Sequence, residues 1–318
     1  MNNRAELFID DEKLFEYAAN TARLITSLRE ENIISTAGTV KRAYNNVRKC
    51  HDEISRRYSS LPAPPASCNW IMDNFYMVQR EYAALMPDLL GASHLRGCGE
   101  GLLPLYLCRN LLSCSGGAVS DKRLAVFLDG FQSVLVLRRS ELELVPAMLS
   151  AAVILRLSEQ LSQMRSSSEP DEYAKVFEAL FTTLRLFSVI DTAKLISDAD
   201  VPNRIFAADP TGEYAKMDSD TRRAYLKQLE KLARDEKADE HLYAEHLIRK
   251  AKAENVHIGK LLFPVKSHNG GLYIFANLFL TLFLSLLSGF AFHSPLSALF
   301  RTGSIMIFSG SSGETRRT

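Results

Sequence analysis

The fold class is clearest in residues 70–87, which read WIMDNFYMVQREYAALMP. The apolar side chains of this stretch recur at steps of three and four residues, a spacing that places them on one face of an α-helix. They are Trp70, Ile71, Phe75, Tyr76, Val78, Tyr82 and Leu85. Pro87 lacks the backbone N–H that a helix interior uses, so we expect the helix to end there.

Helices of the same kind are predicted on both sides of this stretch. Upstream, the helical period recurs over residues 8–28 and 40–58, and the proline-rich segment 59–65 breaks the pattern before residue 66. The downstream ranges with a helical pattern are 102–112, 122–137, 141–164, 172–196 and a charged hairpin over 218–253. Strands and helices do not alternate anywhere, so the predicted fold class is all-α, a multi-helix region.

The composition is that of a folded protein without a strong overall charge. The chain has 318 residues, 47% of them apolar, with 38 Lys and Arg against 37 Asp and Glu. This apolar fraction excludes a disordered chain, and the near-zero charge balance excludes the chain-wide basic field that favours nucleic acid. The five cysteines are odd in number and form no C-x-x-C pair, so we expect Cys108 and Cys114 to be buried thiols.

One apolar stretch predicts a membrane span. Residues 269–292 contain no charged side chain, and the 21 residues from Leu272 to Phe292 would extend about 30 Å as a helix, the thickness of a bilayer's hydrocarbon core. A buried core helix is the alternative. Lys252, Lys260 and Lys266 precede the stretch and Arg301 follows it, which favours an amino-terminal part in the cytoplasm.

The predicted organisation therefore has four parts. Amino-terminal helices occupy residues 1–60, a second helical region occupies 66–262, a transmembrane helix occupies 271–292, and an unstructured tail occupies 301–318. The membrane lipid bilayer is the expected partner, in a bacterial-type cytoplasmic (inner) membrane. The tail is rich in Ser and Gly, as expected either for the polar end of an anchor or for a frameshift or truncation product.

Motifs for catalysis or metal binding are weak. Two D-x-D triplets, 198–200 and 218–220, stand beside turns, so helix capping is favoured over metal binding. A loop of aromatic, acidic and turn residues is a candidate interaction site for sugars or partners. Its residues are Asp209, Gly212, Glu213, Tyr214, Met217 and Asp218. The favoured interpretation is that Tyr214 or Met217 packs on the first turn of the next helix while Asp218 caps that helix.

Five blocks of sequence resemble the amino-terminal region of the cyclic β-1,2-glucan synthases. Residues 66–78 read ASCNWIMDNFYMV, residues 209–225 read DPTGEYAKMDSDTRRAY, and residues 257–259 read HIG. The blocks at 124–149 and 184–191 are similar to that family in the same order. The family-like positions are Trp70, Asp73, Asn74, Phe75, Tyr76, Arg185, Asp191, Arg222, Tyr225, His257 and Gly259. This chain departs from the family pattern at Thr192, Lys260 and Leu261, where aromatic residues are expected.

The resemblance covers about residues 66–262 and implies a non-catalytic amino-terminal fragment of a membrane glycosyltransferase. In the full-length family, later domains transfer glucose from UDP-glucose with a divalent metal: a family-84 glycosyltransferase domain and a family-94 glycoside phosphorylase-like domain. Neither follows residue 262 here, so the resemblance implies no catalytic residue and no cofactor in this chain. The implied partners are the remaining synthase domains or β-glucan. The alternative is a stand-alone, membrane-anchored helical scaffold or glucan-binding protein.

Overall fold

The computed structural model describes residues 8–92, 95–186 and 190–263. Within these ranges the chain is built mainly from α-helices, so the predicted all-α class is confirmed. The helices are α1 (Asp11–Arg23), α2 (Ile33–Tyr58), α3 (Ala66–Gly91), α4 (Leu103–Cys114), α5 (Asp121–Gln132), α6 (Arg139–Glu143), α7 (Val145–Met164), α8 (Ala174–Leu186), α9 (Thr192–Ala199), α10 (Val201–Phe206), α11 (Ser219–Asp235), α12 (Glu240–Glu254) and α13 (Gly259–Leu262). Two short antiparallel strands, β1 (Arg29–Glu30) and β2 (Arg96–Gly97), were not predicted.

The apolar side chains form two clusters. The first is contributed by α1 to α9 and the connecting loops, with α7 buried along most of its surface. Its largest fully buried side chains include Phe127, Phe131, Phe177 and Phe181. The second cluster is contributed by α10 to α13, and its buried members are Phe206, Tyr214, Leu226, Leu229, Ala244, Leu247, Ile248, Ala251, Ile258 and Leu262.

The predicted end of α3 at Pro87 is wrong, because the helix continues to Gly91. A proline inside a helix removes one backbone hydrogen bond, and the burial of several large apolar side chains on both sides of it can offset that loss. Leu85 and Leu89 lie on either side of Pro87 and are both buried, whereas Pro87 itself is exposed. Tertiary packing therefore carries the helix past the proline.

The predicted helix over 141–164 is divided in two at Leu144. The side chain of Glu141 accepts a hydrogen bond from the backbone N–H of Arg138, which fixes the first turn of α6. Pro146 then lies in the first turn of α7, where a missing backbone N–H costs least. This break places Arg139 and Glu141 at the junction between the two apolar clusters.

The predicted burial of Cys108 and Cys114 is confirmed, since both are fully buried and all five cysteines are free thiols. Burial raises the pKa of Cys108, and it raises the pKa of Cys114 to about 11. Both thiols therefore stay protonated at neutral pH.

The predicted span (271–292) and the predicted tail (301–318) lie outside the described residues. In the part of the chain that the structure describes, no helix combines the length and the apolar character needed to cross a bilayer.

Candidate functional site

The candidate site is built around Asp209, which follows α10 in the loop that leads to α11. Its carboxylate is fully buried and accepts hydrogen bonds from three neighbouring residues. Oδ1 accepts a hydrogen bond from the backbone N–H of Ile258 (2.9 Å), Oδ2 accepts one from Nδ1 of His257 (2.9 Å), and the Thr211 hydroxyl also donates to Oδ2. Burial by itself raises the pKa of Asp209, but these hydrogen bonds outweigh burial and lower it.

His257 connects this carboxylate to a tyrosine. Because an ionised carboxylate only accepts hydrogen bonds, Nδ1 of His257 carries a proton, and in the neutral ring Nε2 is then an acceptor. The hydroxyl of Tyr225 lies 3.1 Å from Nε2 and can donate to it in that tautomer. Burial raises the pKa of Tyr225, and the charges of Asp209 and Glu213 raise it further. The result is a continuous hydrogen-bonded chain, Asp209–His257–Tyr225, between the start of α13 and the middle of α11.

Glycine at position 259 is required by this arrangement. A Cβ atom at this position would lie 2.5 Å from Oη of Tyr225 and 2.9 Å from the His257 ring. Side chains do not tolerate such an approach, so the motif at 257–259 needs a glycine after Ile258. The structure therefore brings together four residues from two separate sequence motifs: Asp209, Tyr225, His257 and Gly259.

The predicted interaction loop is largely used for packing and capping. Tyr214 is 1% exposed, its ring meets Phe206 edge to face with centroids 5.5 Å apart, and its hydroxyl donates to Oδ1 of Asn203 (2.8 Å). Burial raises the pKa of Tyr214 above its ordinary value. Gly212 has a φ of +68°, which allows the tight turn, and Met217 packs partly buried against the second apolar cluster. Glu213 remains mostly exposed.

Helix capping accounts for the acidic residues near this loop. Oδ1 of Asp218 accepts from the backbone N–H groups of Asp220 and Thr221 (both 2.9 Å) at the start of α11. The hydrogen bonds from Thr221 are the main reason that the pKa of Asp218 is lowered. Asp200 caps α10 in the same way through the N–H of Asn203 (3.0 Å). The preference for capping at these two D-x-D triplets is confirmed.

Arg222 also stabilises the loop. Its guanidinium donates to the backbone carbonyls of Met217 and Ala215, and both donor–acceptor distances are 3.0 Å. These bonds hold the loop against the first turn of α11.

The remaining family-like residues are a second group, in which Trp70, Asn74 and Arg185 contact one another. A guanidinium nitrogen of Arg185 donates to Oδ1 of Asn74 (3.1 Å). The same guanidinium lies over the ring of Trp70, with its Cζ 5.8 Å from the ring centroid. Phe75 is buried and stacks on the ring of His51, with centroids 4.2 Å apart. The exposed members of the group are Asp73, Tyr76 and Asp191, and Asp191 caps α9 through the N–H of Lys194.

A charged junction between the two apolar clusters was not predicted. The backbone N–H of Arg139 donates to Glu240 (3.0 Å), and its guanidinium contacts the buried Asp200 (2.8 Å) and Glu143 (2.9 Å). Burial raises the pKa of Glu240 to about 7, with the charges of Glu230, Asp200 and Glu141 adding to the shift. Burial likewise raises the pKa of Asp200. Arg139 and Glu143 stand four residues apart on one helix, but Asp200 and Glu240 are distant from them in the sequence, so no sequence pattern marked those two as neighbours of Arg139.

A second buried ion pair adjoins this junction. Nε of Arg96 donates to Oε1 of Glu141 (2.8 Å), and a terminal nitrogen donates to Oε2 (2.6 Å). The fork geometry pairs both carboxylate oxygens, which compensates for the complete burial of Glu141.

The arrangement around Asp209 can orient a histidine ring and hold a proton on Nδ1, and it ties α13 to α11. Within the described ranges, no group of three or more His, Cys, Asp or Glu side chains is placed to hold a metal ion. No protein-family model matches the chain, and a search of the curated proteins returns no match.

Proposed function

We propose that this chain is the amino-terminal, non-catalytic region of a membrane glycosyltransferase of the cyclic β-1,2-glucan synthase type. One observation supports the proposal above the others: Asp209, Tyr225, His257 and Gly259 meet in one cluster. Asp209 and His257 stand 48 residues apart in the chain and belong to different motifs of the resemblance. If the motif series specifies one structure, its members should touch, and these four do.

The cluster supplies a structural role for these motifs. Asp209 holds the N–H of Ile258 and the ring of His257, which fixes the first turn of α13. In the sequence, α13 ends shortly before the uncharged stretch that starts at Asn269. In this proposal the hydrogen-bonded residues Asp209, His257 and Tyr225, which we call the clamp, secure the end of the helical region next to a membrane span over 271–292. The bilayer is then the partner, with the helical region in the cytoplasm of a bacterial-type inner membrane.

The glucosyl transfer itself is assigned to other domains in this proposal. UDP-glucose and a divalent metal would bind to the remaining synthase domains, and this chain would assemble or position them. The test is complementation in membranes. A cyclic β-1,2-glucan synthase that lacks its own amino-terminal helical region is supplied with this full chain, and incorporation of labelled glucose into polymer is measured. We expect no incorporation by this chain alone and restored incorporation by the pair.

Matched variants make the complementation specific. His257→Ala breaks the clamp, so it should abolish the rescue, whereas Lys231→Ala on the exposed face of α11 should leave the rescue unchanged. Incorporation of glucose by this chain alone would show that it is catalytic. Failure of the rescue, with both polypeptides present in the membrane, would count against the synthase assignment.

A second candidate function is binding of glucan or a partner by a stand-alone scaffold. The observation that favours it is the exposed rim of the 209–218 loop, where Thr211, Glu213 and Lys216 face solvent. Tyr214 is buried and has no free ring face for a sugar, so Glu213 would carry the contact. Calorimetric titration with β-1,2-glucan oligosaccharides tests this. Loss of binding in Glu213→Ala but not in Glu236→Ala would support the scaffold, and equal binding by both variants would exclude this loop.

A further inference from the structure

The outward face of α2 carries an excess of positive charge. Its exposed basic residues are Lys41, Arg42, Arg48, Lys49, Arg56 and Arg57. Within the described ranges, none of these six makes an ion pair. Arg42 donates to the hydroxyl of Thr39, and Nε of Arg56 donates to the carbonyl of Asp52. Because these partners are neutral groups, no ion pair offsets the six positive charges in the part of the chain that the structure describes.

Four of these basic residues, Lys41, Arg48, Lys49 and Arg56, lie on one side of α2 and form a ridge. Their positions differ by steps that return to the same side of an α-helix, and the acidic Asp52 stands in the same row. The 26 residues of α2 extend about 39 Å. The opposite side is buried through Val40, Ala43, Val47 and Ile54, and α2 packs along both α3 and α7. Packing on that side leaves the basic side free and holds its residues in one line.

The positive excess is a property of this helix and not of the whole chain. The acidic residues of α2 are Asp52 and Glu53. Oδ1 of Asp52 lies 3.1 Å from Nδ1 of His51, and Glu53 pairs with Arg165 of α7 at 3.3 Å. Six basic residues against two acidic ones stand in a chain whose net charge is only +1. The chain outside α2 therefore carries a net charge of −3, which is the +1 of the whole chain less the +4 of α2, so the positive excess is concentrated on this helix, where it would attract an anionic partner.

We infer that this face of α2 lies on the surface of an anionic lipid bilayer. The four basic residues of the ridge make no ion pair within the described ranges and outnumber its one acidic residue, so the ridge matches a plane of anionic headgroups, to which each basic group adds attraction. Ile34 is 66% exposed in the first turn of α2, and Leu61 is 47% exposed just after its end, so apolar side chains stand at both ends of the ridge. The exposed positions of this face include no aromatic side chain on which nucleic-acid bases could stack.

The inference is independent of the proposed function, because α2 precedes the blocks that resemble the synthases. Its test uses acetylation rates of individual lysines, read by mass spectrometry, in the full chain with lipid nanodiscs. Discs of phosphatidylcholine alone are compared with discs that also contain phosphatidylglycerol. We expect Lys41 and Lys49 to react at least about fivefold more slowly on anionic discs at low salt. Lys227 and Lys231 of α11 should react equally on both. The comparison holds whether or not another part of the chain is anchored in the disc.

Charge-changing variants test whether charge is the cause of the slower acetylation. Arg48→Glu with Arg56→Glu keeps both reporter lysines, and it should restore their reaction on anionic discs to within about twofold of the neutral ones. Arg223→Glu with Arg249→Glu, on α11 and α12, should leave the protection intact, and Arg48→Gln with Arg56→Gln gives a milder test of the same face. Equal reaction of Lys41 and Lys49 on both discs would overturn the inference. So would protection by a short nucleic-acid duplex without protection by lipid.

Discussion

The backbone of Gly259 lies directly against the hydroxyl of Tyr225, so closely that a Cβ at position 259 would come within 2.5 Å of Oη. Tyr225 belongs to α11 and Gly259 begins α13. The same hydroxyl donates to His257, whose other ring nitrogen donates to Asp209. The glycine therefore makes room for the polar chain that joins the loop after α10 to α11 and to the start of α13.

Gly259→Ala should destabilise the protein. Overpacking a site of this kind costs about 1–3 kcal/mol of the free energy of unfolding, measured by urea denaturation with far-ultraviolet circular dichroism. Gly91→Ala is the matched control, because in the described residues no side chain and no backbone from beyond its own helix lies within 4 Å of the added methyl group, and it should cost little or nothing. Combining Gly259→Ala with Tyr225→Phe should recover part of the loss. Strict additivity of the two substitutions would contradict the predicted clash.

Asp209→Asn should reduce stability at neutral pH by about 1–3 kcal/mol, since it weakens hydrogen bonds to a buried acceptor. The folded state lowers the pKa of Asp209 below its ordinary value of 3.8, so the stabilisation is present above that pH and is lost as the pH falls through the folded value. The difference between the native chain and the variant should therefore shrink below about pH 4. Denaturation at a series of pH values tests this. The exposed Asp235→Asn should show neither effect, and a constant difference down to low pH would contradict the prediction.

The helical architecture was predictable because burial follows local spacing. In α2, the apolar positions chosen from the period include Val40, Ala43, Val47 and Ile54, and all four are buried. In α3 the period also selected Tyr76, which is 61% exposed. A helical stripe identifies the buried side of a helix but not its edges, where one residue can face either way.

Helix ends and long-range contacts were harder to predict, for physical reasons. Pro87 predicts a helix end from local sequence, but α3 continues to Gly91, which buries Leu89. The contact between Asp209 and His257 spans 48 residues, and no local period reports such a distance. Only the resemblance suggested that these residues belong together. The junction at Arg139 has neither a period nor a motif, so it became visible only in the folded chain.

Glu240→Gln should stabilise the protein above neutral pH. Folding raises the pKa of Glu240 from 4.5 to about 7, so between these values the folded chain holds a proton that the unfolded chain has lost. Stability should therefore fall as the pH rises through this range, by at most about 3 kcal/mol from this residue. Glutamine can still accept from the N–H of Arg139 but does not ionise. The variant should show a flatter dependence of unfolding free energy on pH.

The control for this prediction is Glu245→Gln, because Glu245 lies on the exposed side of the same helix. It should keep the native dependence on pH. The groups that surround Glu240 also bear on the measurement: Glu230 and Arg234 of α11, Asp200, and Glu141 of α6. If Glu240→Gln and the native chain lose stability in parallel between pH 5 and 7, about the window set by the two pKa values, a different group titrates there.

Arg139→Ala should be the most damaging of these substitutions, at about 3–5 kcal/mol. Arg139 compensates Asp200, which is 2% exposed, and removing the guanidinium leaves a buried carboxylate without its cation. Adding Asp200→Asn to Arg139→Ala should therefore recover part of the loss, because the uncompensated charge disappears while the cap of α10 is retained. Arg223→Ala, on the exposed side of α11, should change the unfolding free energy by less than about 0.5 kcal/mol. Urea denaturation of the native chain, Arg139→Ala, Asp200→Asn and the double variant measures the coupling. A double variant no more stable than the sum of the two single effects would show that Arg139 stabilises the junction by packing instead of charge.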